Sequence, residues 1–389
     1  MIYKTIALIL MSLSSAWSDD LNEVPEDGRL NFTGLALKYV GRAESVQSSA
    51  DGYQLTLHRV RGHAARPVLV VHGLMGSSSE FLMQGRDSIV HALAAAGHDV
   101  WLANYRGNRY SRAHVALNPD GDRDFWQFGP HQHACADLAA FIDTVLNRTG
   151  QTQLSLIAHS EGTSITYILG SERPEYNDKI KIFIALAPCM HLHYITKTLP
   201  PPLLSIAKKI LTTFKRLGIE EVGGYDGIRG TMLRKFCAHT LIGRQVCRQL
   251  MLAINGYDAE GMETDFMPTL FWNYPAGSSR MNLEHEFQWI TSKRFAKFDY
   301  GPKVNMEKYG SEIPPLYDIK KFTMKTFIFA AKNDRLAVLE DTRRQAEELP
   351  NVVEYKLVDD ELFNHVDFVW TRRTREIQPT ILEVLDKYN

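Results

Sequence analysis

From about Tyr53 onward, short β-type apolar runs alternate with stretches whose apolar positions recur at helical spacing. RPVLVVHG reads as a buried strand ending at His72-Gly73, and FLMQGRDSIVHALAAAGH as a helix with its exit. DVWLANYRG is the next strand, and DLAAFIDTVLNRTG is a helix with a glycine stop. LSLIA and TSITYILG repeat the pair, and KIKIFIALAP is a further strand ending at Pro188. The rhythm then changes: residues 189–309 carry mixed helical segments, prolines and many aromatics. Strand signals return in KTFIFAAKNDRL and VEYKLVDD, and a last helix follows. This alternation predicts an α/β fold whose mainly parallel sheet is covered on both faces. The core falls in two parts, 19–188 and 310–389, with a mostly helical insertion over 189–309 that is apolar enough to need burying.

The first eighteen residues, MIYKTIALILMSLSSAWS, stand apart from that pattern. An early lysine, an apolar stretch from Ile6 to Leu13 and small residues up to Ser18 make the layout of a secretory signal peptide. The apolar stretch is far short of the roughly 20 residues that span a bilayer. No later segment is long enough either, so residues 1–18 are expected to be removed and a soluble protein exported, either secreted or delivered to lysosomes. NFT at Asn31 and NRT at Asn147 fit the glycosylation acceptor and agree with export.

Charge and cysteine content narrow the classes further. A net charge of -1 over 389 residues argues against nucleic acid or an anionic membrane surface as main partner. Four cysteines are too few for a disulfide scaffold. Cys237 and Cys247 are close enough to close a small loop in an oxidising compartment, while Cys135 and Cys189 lie in apolar stretches as small buried residues. The pairs around His131 and His191 lack further ligands nearby, so neither a metal nor another cofactor is expected.

Functional groups of open α/β sheets gather at the carboxyl ends of the strands. Reading only those ends gives His72-Gly73-Leu74, Ser160, Pro188, Asp334 and the loop containing His365. Serine, acid and histidine occur there in the chain order of the α/β-hydrolases. Ser160 sits in AHSEG, a strand-to-helix turn that would hold a hydroxyl up as nucleophile, with Ala158 where such turns have glycine. Asp334 follows a late strand; Asp359, Asp360 and Asp367 compete for the same role. His365 precedes the last helix, where a base can reach back to the serine, whereas His159 is too close in the chain to serve. Backbone N–H groups of Leu74 and Glu161 are the natural pair to meet a developing oxyanion.

With these residues in view the chain resembles the acid lipase family of α/β-hydrolases, which includes gastric, lysosomal and insect digestive lipases. The resemblance covers nearly the whole mature chain through VLVVHGLMGSSSEFL, LANYRGNRYSR, FWQFG, AHSEGT, NYPAGSS, KNDRLA and FNHVDFVW, in the family's order. It implies Ser160 as nucleophile, Asp334 as acid, His365 as base, Leu74 and Glu161 as oxyanion donors, and residues 189–309 as a cap and lid. It also implies that Cys237 and Cys247 form the family's lid disulfide. The expected activity is hydrolysis of neutral-lipid esters such as triacylglycerol at a lipid–water interface. Steryl esters, other carboxylic esters or non-catalytic lipid binding are the alternatives. The family's Gly-His-Ser-Gln-Gly is Ala-His-Ser-Glu-Gly here, and a carboxylate at Glu161 beside the oxyanion is expected to lower turnover at neutral pH.

Overall fold

Val-, Ile- and Leu-rich runs that cannot leave either face in water form the centre of the computed structural model, which describes residues 25–63, 66–199, 201–225, 228–258 and 260–388. The segment 1–18 lies outside the described residues. The strands are β1 (Ala43–Ala50), β2 (Tyr53–Val60), β3 (Pro67–Val71), β4 (Asp99–Leu102), β5 (Ala113–His114), β6 (Leu154–His159), β7 (Ile180–Leu186), β8 (Glu221–Val222), β9 (Ser278–Ser279), β10 (Thr326–Ala330) and β11 (Val352–Leu357). Among the described residues nine of them make one sheet, ordered β1-β2-β4-β3-β6-β7-β10-β11 with β5 attached to β2. The pairs from β4 through β11 are parallel, and β2 runs antiparallel to β1, β4 and β5. Every residue of β3, β4 and β6 is buried, so both faces of the sheet are covered.

The helices of the sheet region are α1 (Phe32–Tyr39), α2 (Ile89–Ala95), α3 (Ala139–Thr149) and α4 (Glu161–Glu172). As expected, α3 stops at Gly150, which takes the left-handed conformation at φ 68°. The helix expected across residues 81–98 is shorter than its pattern suggests. Gly85 turns at φ 58° against the ring of Tyr39, and Ser88 then caps α2 by accepting from His91 N at 3.2 Å. Only the second half of that stretch is α-helix.

Helices also fill the segment between β7 and β10: α5 (Pro201–Leu217), α6 (Ile228–His239), α7 (Leu241–Asn255), α8 (Met267–Asn273), α9 (Arg280–Ser292) and α10 (Pro302–Tyr309). The two-stranded ribbon β8–β9 ties α5's exit to α9's start. Cys237 and Cys247 are disulfide-bonded and link α6 to α7, whereas Cys189 is a buried and Cys135 a half-buried free thiol. The chain returns through β10, α11 (Leu339–Glu348), β11 and α12 (Gln378–Tyr388). Near the sheet, Arg106 and Asp137 form a buried ion pair at 2.5 Å.

Candidate active site

The turn after β6 is as sharp as its sequence implies. Ser160 has φ 53° and ψ −124°, a conformation L-residues seldom adopt, and α4 begins at the next residue. Space explains the small neighbours. A Cβ on Gly162 would stand 2.8 Å from His72 O, and one on Gly73 would stand 3.1 Å from Ser160 Cβ. Ala158 is fully buried and pairs in register with Val71 and Ala185, so the turn accommodates its methyl group.

The structure brings Ser160, Asp334 and His365 together. Ser160 Oγ–H donates to His365 Nε2 at 2.8 Å, and His365 Nδ1–H donates to Asp334 Oδ2 at 2.9 Å. Asp334 Oδ1 also accepts from the N–H groups of Leu336 and Ala337, each at 2.8 Å, which fixes the carboxylate in place. A carboxylate that only accepts holds the proton on Nδ1 and leaves Nε2 free to take the serine proton. The three rival acids are engaged elsewhere or open to water. Asp360 pairs with Arg373, Asp367 accepts from Asn364 N and Thr371 Oγ1, and Asp359 is exposed.

Two features position the histidine that sequence reading did not find. His159, set aside as a base, has Nε2 at 3.0 Å from the carbonyl of His365 and donates to it. The carbonyl of Asn255, the last residue of α7, accepts from the N–H groups of both His365 and Arg335, at 3.3 and 3.4 Å. Helix α7 is further joined to the acid's loop through Arg335 Nη1, which donates to Ala253 O at 2.9 Å. These partners lie a hundred or more residues from the histidine or on another element, and no local signal announces them.

Opposite the serine, the N–H groups of Leu74 and Glu161 have no acceptor among the described residues. The loop carrying Leu74 is held from behind: Gly73 N donates to Glu80 Oε1 at 3.0 Å, and His72 Nδ1–H donates to Gly73 O at 2.8 Å. His72 Nε2 accepts from Asn108 Nδ2 at 3.3 Å, and burial holds the imidazole's pKa below its ordinary value, so it is neutral. The side chain of Glu161 accepts from Asn282 Nδ2 at 2.6 Å on α9. Its pKa is pushed up to about 7, chiefly by burial, with the hydrogen bond from Asn282 opposing and the charge of Glu80 adding.

Ser160 and His365 open on a cavity of about 470 Å³ whose walls include Leu199, Leu250, Ile254, Phe271 and Ile290. Its apolar lining comes mostly from the inserted segment, and its size suits a lipid-sized ligand. Cys189 also lines it, 3.8 Å from Ser160 Oγ. The remaining residues marked in the sequence lie away from it. Asn31 and Asn147 are both exposed, Asn31 capping α1 by accepting from Gly34 N. His191 pairs with Glu348 at 2.7 Å, and no group of His, Cys, Asp and Glu able to hold a metal ion occurs among the described residues.

Comparison with known proteins adds three findings. Residues 66–217 match a family described as the alpha/beta hydrolase fold. Lipase 1 of Drosophila melanogaster is 34% identical over 94% of this chain and 81% of its own, and the gastric triacylglycerol lipase of Bos taurus is 33% identical over 83% and 82%. A putative lipase from Sulfolobus solfataricus, 16% identical, superposes with a TM-score of 0.60 over 92% of this chain and 98% of its own.

Proposed function

Since this chain belongs to the acid lipase family of α/β-hydrolases, we propose that it hydrolyses carboxylic esters of neutral lipids, triacylglycerol among them, through an acyl-enzyme on Ser160. His365 Nε2 takes the proton of Ser160 as the oxygen attacks the ester carbonyl. Asp334 steadies the imidazolium that forms. The carbonyl oxygen, now negative, meets the N–H groups of Leu74 and Glu161, each such donor being worth about 3 kcal/mol in sites of this kind. His365 then returns the proton to the leaving alcohol, and water repeats the cycle on the acyl-enzyme. The observation that carries this reading is the Asp334–His365–Ser160 hydrogen-bond chain at the wall of an apolar cavity.

Residues 189–309 act as the cap over this cavity, and their outer surface is the side that meets lipid. Ile242, Val246 and Leu250 follow one face of α7 at helical spacing and are 73, 53 and 48% exposed, with Ile206 and Ile210 exposed on α5. Leu250 also lines the cavity, so the apolar stripe leads from the surface to the serine. Among the described residues no helix is long and apolar enough to cross a membrane, which fits contact with a lipid surface rather than insertion through it. Export through the signal peptide, to the outside or to lysosomes, is the setting in which the disulfide and glycans would form.

The test is turnover of triolein, cholesteryl oleate and a short soluble ester by the parent and by Ser160→Ala. Hydrolysis of triolein that falls about 10⁴-fold or more in the variant supports the proposal. Turnover of the short ester alone assigns a soluble-ester esterase, and turnover of cholesteryl oleate alone a steryl ester hydrolase. Turnover that survives in Ser160→Ala refutes the mechanism.

A further inference from the structure

Besides Ser160 and His365, the polar side chains lining the largely apolar cavity are Glu80, His159, Asn255, Tyr274 and Glu286. Glu286 lies on α9 one turn from Asn282 and one turn from Ile290, and both Glu286 and Ile290 line the cavity. Tyr274 lines the same cavity. The others are engaged: Glu80 accepts from Gly73 N, His159 Nε2 donates to His365 O, and Asn255 Nδ2 donates to Met251 O. Neither the carboxyl of Glu286 nor the phenol of Tyr274 has a hydrogen-bond or ionic partner among the described residues. A carboxyl left without a partner among leucines and isoleucines is costly to cover with hydrocarbon.

We propose that Glu286 and Tyr274 form a hydroxyl-recognition subsite that favours esters carrying a free hydroxyl near the scissile bond over esters that are fully capped. This deepens the lipase reading and rests on it for the identity of the reaction. Burial and the nearby Glu161 raise the pKa of Glu286 well above the carboxylate range, so it is a neutral acid with one proton to give and lone pairs to accept. The phenol of Tyr274 is likewise held neutral, chiefly by burial. Such a pair can both donate to and accept from one alcohol. A triacylglycerol offers only ester oxygens there, whereas a partial glyceride or a hydroxylated acyl chain offers the missing partner. A site built to bond a hydroxyl discriminates far more strongly than an apolar pocket gains from one extra methylene.

The experiment compares the parent with Glu286→Leu, Glu286→Gln and Tyr274→Phe on two substrate pairs in the same mixed micelles. The pairs are 1,2-diolein against triolein, which reads a glycerol hydroxyl, and ethyl ricinoleate against ethyl oleate, which reads a hydroxyl on the chain. In at least one pair the parent is expected to favour the hydroxyl-bearing member about tenfold in kcat/KM, a preference lost in Glu286→Leu and largely kept in Glu286→Gln. The pair that responds identifies the source. Turnover of ethyl oleate by Glu286→Leu at or above the parent's shows that the variant is folded. Equal selectivity in parent and Glu286→Leu for both pairs overturns the proposal. A second measurement does not depend on turnover: in the Ser160→Ala background, an alkylglycerol ether with a free hydroxyl should bind about tenfold more tightly than its fully O-alkylated counterpart, and Glu286→Leu should abolish the difference. Absent esterase activity with this binding preference intact refutes the lipase reading alone. Intact activity with no preference in either assay refutes the subsite alone.

Discussion

Glu161→Gln isolates the one charged side chain whose own backbone N–H is proposed to meet the oxyanion. The carboxyl is 2% exposed, and its pKa of about 7 makes it roughly 1% ionised at pH 5 and about nine-tenths ionised at pH 8. Once ionised, it lies roughly 6 Å from the oxygen at its own N–H, the reach of a glutamate side chain. At an effective dielectric constant of about 20 that repulsion is about 2–3 kcal/mol, enough to slow the ionised form by about 30–100-fold. The tenth of molecules still neutral at pH 8 then carries most of the rate, so the parent should fall to about one-tenth of its acid-side activity from this cause. Glutamine can accept the same hydrogen bond from Asn282 and never ionises. The assay is kcat/KM on an emulsified triglyceride for parent and variant from pH 5 to 8. Any pH dependence shared by the two enzymes cancels in their ratio. The ratio of variant to parent should be near one at pH 5 and rise about tenfold by pH 8. A ratio that is flat across this range refutes the reasoning.

The same carboxyl carries a stability term. Its folded pKa lies above the value of 4.5 for an unstrained glutamate, so between those values the native state holds a proton that the unfolded chain has released. Stability is therefore lost as pH rises through that window, by up to about 3 kcal/mol, and denaturation of Glu161→Gln should lack this decline. His159→Phe removes the hydrogen bond to the His365 carbonyl and should lower kcat about tenfold with KM little changed, whereas a merely structural effect would move the melting temperature and leave kcat alone. Arg106→Ala strands the fully buried Asp137 and should cost about 3–5 kcal/mol in urea denaturation. Cys237→Ser with Cys247→Ser opens a loop of sequence separation 10 and should cost the helical segment about 2–3 kcal/mol, seen as earlier proteolysis of α6 and α7.

Much of this was written in local patterns. The strands β3, β4, β6, β7 and β10 were readable because a buried parallel strand is mostly apolar, and Ser160 and Asp334 were readable because each follows such a strand. The strand β11 and the loop of His365 were readable from the strand signal in VEYKLVDD, whereas the two-residue strands β5, β8 and β9 carry no such run. The short α2 was not, since apolar spacing over residues 81–98 continues across a break that depends on Gly85 meeting Tyr39, far off in the chain. The strand β1 was missed because its residues, AESVQSSA, are half exposed at the sheet's edge and lack an apolar run. Glu286 and Asn282 were invisible for a related reason. Helical spacing shows that they share a face, but only the packing of α9 against α4 turns that face toward Glu161.

The carbonyl of Asn255 gives the cover over the cavity a fixed end. One oxygen at the foot of α7 steadies the loop of the base and the loop of the acid together. A movement that lifted this foot would break both supports and disarm the serine at the moment a lipid arrived. On the proposed reading of residues 189–309 as a cap, an opening that keeps the serine armed is therefore one in which the foot of α7 stays seated, with its hinge bolted to the working parts.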